Sequence, residues 1–144
     1  MVNKELKKAV IRKMKINIDT ITRASKELIG NIIRTPTIRS QHLSSEINGE
    51  VFLKLENLQY TSSFKVRGAY TSITRLKEDQ KKVGVIAMSA GNHAQAVAWW
   101  AKKERVNATI VMPEHAPLFK VMKTKSLGAE VILRGRTINE SQTY

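Results

Sequence analysis

Three short apolar runs, rich in valine and isoleucine, constrain the fold of this chain more than any other feature. They read VGVIAMS (83–89), ATIVMP (108–113) and EVILRG (130–135). Helical segments separate them, HAQAVAWWAKKE and APLFKVMKTKSLG, and Gly128 stands where the second of these should end. Apolar strands that alternate with helices are typical of a parallel sheet covered on both faces. Right-handed crossovers then predict an open, doubly wound α/β unit from about residue 51 onward.

Upstream of these runs the pattern is helical. Between Ile18 and Ile32 the apolar residues recur at helical intervals, which predicts an amphipathic helix. Asp19 or Thr20 is placed to cap this helix, and Gly30 is placed to end it. The regular alternation of strand and helix is missing here, so we expect this part to belong to a different domain.

A turn at Asn48-Gly49 precedes a predicted strand in VFLKLE. We predict that the chain divides at this point. Residues 1–50 would form an N-terminal helical segment, and residues 51–144 a separate α/β domain. A length of 144 residues is sufficient for one compact domain and part of another.

The composition excludes several classes of site. The chain has no cysteine, and its three histidines show no metal-ligand spacing, so we expect no metal. The net charge is +13, but the cations outside the basic run at residues 1–15 are spread among the elements without interleaved aromatic residues, which argues against nucleic acid. Because no apolar run is long enough to cross a membrane and no secretory signal follows the basic start, we expect a cytoplasmic protein.

The segment SAGNHA, residues 89–94, follows the first strand of the predicted sheet, at the edge where ligands bind. Gly91 would let the backbone approach a ligand closely, and the amides at the start of the next helix attract an anion. Ser89 and Asn92 add side-chain donors. A carboxylate suits this short loop better than a polyphosphate, but an ordinary strand-to-helix turn with His93 on the helix surface explains the residues equally well.

Lys65 lies in TSSFKVRGAY, at the expected start of a helix near Ser63. The helix dipole lowers the pKa of a lysine in the first turn, and the neutral amine is the form that attacks a carbonyl. Phe64 beside it can supply a dry face, while Gly68 and Ala69 leave room for a planar ring. Most helical lysines are solvated, so the residues alone leave open whether Lys65 is a nucleophile or a surface cation.

At this point the sequence resembles a known family. LKLENLQYTSSFKVRGA, MSAGNHAQAVA and ATIVMPEHAPLFKVMKTKSLGAEVIL occur in this order and closely resemble the pyridoxal-phosphate enzymes of fold type II, and among them the threonine dehydratases, or threonine ammonia-lyases. RTPTIRS upstream fits the same pattern. The resemblance extends over residues 16–135. It implies that residues 51–144 are the small α/β domain of that fold and that residues 1–50 are an N-terminal helical segment of an incomplete large domain.

The resemblance implies a role for both segments. Lys65 would hold pyridoxal 5'-phosphate as a Schiff base, Phe64 would pack near the cofactor ring, and Asn92 would donate a hydrogen bond to its phenolic oxygen. The substrate carboxylate would be held by the loop residues Ser89, Ala90, Gly91, Asn92 and His93. The implied reaction is the dehydration and deamination of threonine to 2-oxobutanoate and ammonia, or of serine to pyruvate, with the Lys65 amine removing the Cα proton. Family members are expected to be homo-oligomers that act on a small amino acid.

The sequence departs from the family in several places. Related serine racemases usually carry a second serine where this chain has Ala90, which favours dehydration over racemisation. Ser62 stands where glycine is common, and Ser62 and Ser63 are placed to cap the helix or hold polar atoms of a ligand. The glycine-rich loop that binds the cofactor phosphate is not found, because no two of the seven glycines are adjacent. We therefore expect this sequence to be an N-terminal piece of a longer enzyme.

Two alternatives remain open on the sequence. One is another enzyme of the same fold type, such as a serine dehydratase or racemase. The other is a non-catalytic remnant or interaction module, which the missing phosphate loop and the basic N-terminus favour. Absorbance of the bound cofactor and a product assay would separate them.

Overall fold

The computed structural model describes residues 16–143, so the basic run at residues 1–15 lies outside the described residues. The elements in chain order are α1 Ile18–Glu27, β1 Thr37–Arg39, α2 Gln41–Glu46, β2 Phe52–Lys54, a 3₁₀ turn Glu56–Leu58, α3 Lys65–Thr74, α4 Glu78–Val83, β3 Val85–Met88, α5 Asn92–Lys103, β4 Ala108–Met112, α6 Leu118–Ser126, β5 Glu130–Leu133 and α7 Ile138–Gln142. Within the described range, no helix combines the length and the apolar character needed to cross a membrane.

The three apolar runs form one parallel sheet in the order β3-β4-β5, which confirms the predicted α/β fold. Ile86 lies opposite Thr109, and Ile110 lies opposite Val131. Because both crossovers move in the same direction across the sheet, right-handed connections place α5 and α6 on the same face. The two helices pack against each other there.

Helix α5 lies at the centre of the core, between the sheet and α3. Its buried residues are Ala94, Gln95, Ala96, Val97, Ala98, Trp100 and Ala101. Small alanine side chains let the neighbouring helix approach closely, and α3 packs there with Val66, Ala69 and Ile73, which recur at helical spacing. Complete burial of one such aliphatic side chain contributes about 1.5–3 kcal/mol.

The second face of the sheet is covered less completely. Val111 points to this face because strand residues alternate, and it shares a cavity of about 430 Å³ with Ser141 of α7. Helix α7 packs against β3 and β4, but Ile86 in β3 is still 67% exposed. The described helices therefore cover one face of the sheet more completely than the other.

The predicted strand in VFLKLE is present as β2, but it does not join the parallel sheet. It pairs antiparallel with β1, and Leu53 lies opposite Ile38. The Asn48-Gly49 turn and helix α2 fold the chain back so that β2 meets the preceding strand, and the parallel sheet begins only at Val85. This pairing joins both sides of the predicted domain boundary, and the division into residues 1–50 and 51–144 stays a prediction.

The predicted N-terminal helix exists, but its expected caps were wrong. Asn17 caps α1, because its side chain accepts a hydrogen bond from the Thr20 amide at 2.9 Å while the Thr20 hydroxyl accepts from the Asn17 amide at 3.1 Å. The helix ends at Glu27, ahead of Gly30. Ile18 is 73% exposed, whereas Leu28, just after the helix, is buried, so only the C-terminal end of the apolar stripe reaches the core.

Candidate active site

Lys65 is the first residue of α3, two positions later than the predicted start near Ser63. Its Nζ lies 5.0 Å from the centre of the Phe64 ring, so the predicted contact between amine and aromatic face is present. The predicted serine caps were wrong, because within the described residues no side chain caps this helix end. Ser62 adopts a φ of +55°, and the hydroxyl of Ser63 is buried without a hydrogen-bond partner in residues 16–143.

The Lys65 end of α3 opens into a pocket of about 570 Å³ between α3, α5 and the edge of β3. The lining residues are Phe64, Lys65, Arg67, Gly68, Ala69, Ser72, Ile73, Val85, Ile86, Ala87, His93 and Val97. Gly68 and Ala69, which the sequence predicts to leave room beside Lys65, both line the pocket. Ser72 is a lining residue that the motif does not single out, although its spacing from Lys65 places it on the same helix face. Nothing in the sequence indicates that the β3 residues Val85, Ile86 and Ala87 line the pocket, because only the packing of the folded chain brings the edge of β3 next to α3.

Lys65 and His93 line this pocket from different helices. The pKa of His93 is lowered from its ordinary value, first because the imidazole is partly buried and second because the Lys65 charge is near. Both effects disfavour a second positive charge in the pocket. The pocket therefore favours the neutral form of the His93 imidazole.

Ser89, Ala90 and Gly91 form the turn that leads into α5 and His93. The amide of Ser89 donates to the Val111 carbonyl at 3.1 Å, and the Ser89 hydroxyl accepts from the Gly91 amide at 3.1 Å. Asn92 is the first residue of α5, as predicted. Of the predicted site residues, Phe64, Lys65 and His93 line the same pocket. The other four precede His93 in the chain and are not among the lining residues that the structure describes: Ser89, Ala90, Gly91 and Asn92.

Two comparisons with known sequences bear on this site. A sequence model of the family described as pyridoxal-phosphate dependent enzyme matches residues 28–144. The chain belongs to this family. The L-threonine dehydratase catabolic TdcB of Staphylococcus aureus (strain USA300) is 51% identical over 130 residues, which are 90% of this chain and 38% of that protein. The chain thus spans about 38% of the length of the curated relatives it matches.

Solved structures of this enzyme family have the same fold. The processed form of threonine deaminase isoform 2 from Solanum lycopersicum gives a TM-score of 0.76 at 32% identity, over 90% of this chain and 37% of that one. Maize serine racemase gives a TM-score of 0.82 at 35% identity, over 90% of this chain and 40% of the racemase chain. The fold is therefore that of the fold type II pyridoxal-phosphate enzymes.

The residues of the pocket fit the family cofactor. A side chain added at Gly68 or Gly91 would meet no atom within 4 Å, so both glycines leave open space. Gly91 has a φ of −139°, outside the left-handed region, so its contribution is the space that the missing side chain leaves for a ligand. A primary amine, an aromatic face and apolar walls suit an aromatic aldehyde. Within residues 16–143 no His, Asp and Glu side chains gather into a set that could hold a metal ion.

Proposed function

We propose that this chain is part of a threonine ammonia-lyase that uses pyridoxal 5'-phosphate to convert threonine to 2-oxobutanoate and ammonia, and serine to pyruvate. The observation that carries this proposal is the shared pocket of Lys65 and His93, where the amine lies across from the helix that follows the SAGN turn. The 51% identity to an L-threonine dehydratase supports it. Lys65 is the only lysine in the lining of this pocket as described.

We assign cofactor binding to three residues. Lys65 would hold the cofactor through its aldehyde carbon, Phe64 would contact the ring, and Asn92 would donate to the phenolic oxygen. Pyridoxal phosphate, when bound, supplies an electron sink that acidifies the Cα–H bond of the substrate. With the cofactor bound, the Lys65 amine would take the Cα proton of the substrate.

The turn before α5 is proposed to bind the substrate carboxylate. The first amides of a helix lack partners within the helix and carry its positive dipole end, which favours an anion there. The Ser89 hydroxyl accepts from the Gly91 amide, so its own proton stays available for a carboxylate oxygen. Ser89, Ala90 and Gly91 of the turn, with Asn92 and His93 at the start of α5, together form this proposed subsite.

A second candidate is amino-acid racemisation, which the TM-score of 0.82 to maize serine racemase favours. Racemisation needs a proton donor on the opposite face of the substrate. Ala90 has no hydroxyl to offer there, so elimination remains the first choice. Incubation with L-threonine and L-serine, followed by assays for 2-oxo acids and for D-amino acids, separates the two reactions.

The cofactor assignment is tested by covalent trapping. The chain is incubated with pyridoxal phosphate, reduced with borohydride and digested, and the modified lysine is located by mass spectrometry. We expect visible absorbance and modification at Lys65, both lost in Lys65→Ala and both retained in Lys77→Ala, which removes an exposed lysine just before helix α4. Modification spread equally over surface lysines, unchanged in Lys65→Ala, would overturn the assignment.

Three further expectations belong to this proposal. The chain would divide into residues 1–50 and 51–144, the enzyme would be cytoplasmic, and it would form homo-oligomers. Limited proteolysis tests the division, and sedimentation velocity tests the assembly. Cell fractionation tests the location.

A further inference from the structure

Helix α3 is attached to the N-terminal part of the chain along one polar face. Arg67, in its first turn, forms an ion pair with Glu56, and Arg75, just beyond its last turn, forms one with Glu27, each at 2.7 Å. The two pairs differ in exposure, because the side chain of Arg67 is 31% exposed and that of Arg75 is 51% exposed. The better-buried pair is therefore the one beside Lys65.

The Glu56 carboxylate accepts three hydrogen bonds, two from Arg67 and one from Thr35. Its two oxygens accept from Nε and Nη2 of Arg67 at 2.8 and 2.7 Å, and one of them also accepts from the Thr35 hydroxyl at 2.6 Å. The hydrogen bonds from Arg67 lower the pKa of Glu56 to about 2, against the opposing effect of burial. Thr35 is buried, and its carbonyl accepts from the Lys54 ammonium. The carboxylate is thus a fixed, ionised anchor for the Arg67 fork.

The first turn of α3 is held from the opposite side as well. Trp100 of α5 donates from Nε1 to the carbonyl of Val66 at 2.8 Å, and this bond is buried. Val66 and Arg67 directly follow Lys65 in the chain. An uncapped helix start leaves its first amides without partners and frays easily. The two contacts hold this turn where a capping side chain is absent from the described residues.

We propose that Glu56 and Arg67 are positioning residues that fix the first turn of α3 and thereby aim the Lys65 amine into its pocket. The proposal rests on the function proposed for Lys65. Two parallel hydrogen bonds define the orientation of the helix as well as its distance from the 3₁₀ turn, which a single point charge cannot do. A small displacement of a reacting amine has a large effect on rate.

The matched variants are Glu56→Gln and Glu27→Gln, which each remove a carboxylate that pairs with an arginine at one end of α3. Two measurements are made on the whole chain: hydrogen exchange of the amides in residues 65–69, and the rate of borohydride-trapped pyridoxal phosphate incorporation at Lys65. We expect Glu56→Gln to exchange faster in this turn and to incorporate cofactor roughly tenfold more slowly, with Glu27→Gln close to the unmodified chain. Equal effects of the two variants would overturn the proposal.

Arg67→Lys keeps the charge but loses the fork, and we expect it to behave like Glu56→Gln. Full retention of exchange protection and incorporation in Arg67→Lys would show that charge alone suffices and would overturn the positioning role. If Glu56→Gln does not fold, Thr35→Val removes one hydrogen bond to Glu56 and should give a smaller effect of the same sign. If the unmodified chain takes no cofactor at Lys65, the function proposed above fails, while the exchange measurement still decides the positioning proposal.

Discussion

Trp100 and Val66 join the two helices that line the candidate site. The indole Nε1 of Trp100 donates a buried hydrogen bond of 2.8 Å to the Val66 carbonyl, one residue after Lys65. The same indole ring packs edge-on against Tyr70, with the ring centres 4.7 Å apart. The position of the lysine relative to α5 thus depends on a side chain two turns into that helix.

The first prediction concerns this hydrogen bond. Trp100→Phe keeps an aromatic ring but removes the donor, and we expect a loss of about 1–2 kcal/mol in the free energy of unfolding. Urea denaturation measures it. Trp99→Phe is the matched control, because the Nε1 of Trp99 has no acceptor among the described residues, and it should cost clearly less. A smaller loss in Trp100→Phe than in Trp99→Phe would contradict the role of the bond.

The second prediction concerns acid stability. Since pairing with Arg67 lowers the pKa of Glu56 from 4.5 to about 2, its contribution is fully present above the unfolded pKa and is lost as the pH falls from about 4.5 towards 2. We expect Glu56→Gln to be less stable than the unmodified chain by about 2 kcal/mol at pH 6, with the difference shrinking below pH 4.5. Urea unfolding at several pH values measures this. Glu50→Gln, which removes the exposed partner of Arg39, should show little difference at any pH.

The third prediction concerns the pocket histidine. The Lys65 charge contributes to the lowered pKa of His93, and burial contributes more. Lys65→Met should therefore raise the pKa of His93 only part of the way towards its ordinary value. Proton NMR titration of the imidazole measures the change, with Lys77→Met as the control. An unchanged or further lowered midpoint in Lys65→Met would show that the two groups do not interact.

The fourth prediction separates stability from cofactor uptake at Gly68. An added Cβ meets no atom within 4 Å, so Gly68→Ala should raise stability by about 0.5–1 kcal/mol through its better helix propensity. Gly68→Phe places a large side chain in the pocket, and we expect it to abolish cofactor uptake while the fold is retained. Thermal unfolding and the absorbance of bound cofactor measure the two effects. Normal uptake by Gly68→Phe would place the cofactor elsewhere.

The sequence predicted those features that depend on neighbouring residues. The runs around Val85, Ile110 and Val131 form the parallel sheet, α5 begins at Asn92, and Gly128 adopts a φ of +101° after α6. Lys65 and Phe64 could likewise be selected from their motif. Apolar periodicity, helix starts and left-handed glycines are local signals, because the period and the backbone angles of each element impose them directly.

Contacts between residues far apart in the chain could not be predicted from the sequence in the same way. The pairing of β2 with β1, the ion pair of Arg67 with Glu56 and the hydrogen bond from Trp100 to Val66 each join segments that the sequence leaves independent. A strand can pair with any of several other strands, and an arginine can pair with any of several carboxylates. The partner that is used is the one that the packing of the helices brings within about 3 Å. The sequence by itself determined the family and the three strands of the parallel sheet, and it singled out Lys65 as the candidate nucleophile. Only the tertiary structure decided what holds the lysine in place, because hydrogen bonds and ion pairs require a geometry that the folded core supplies.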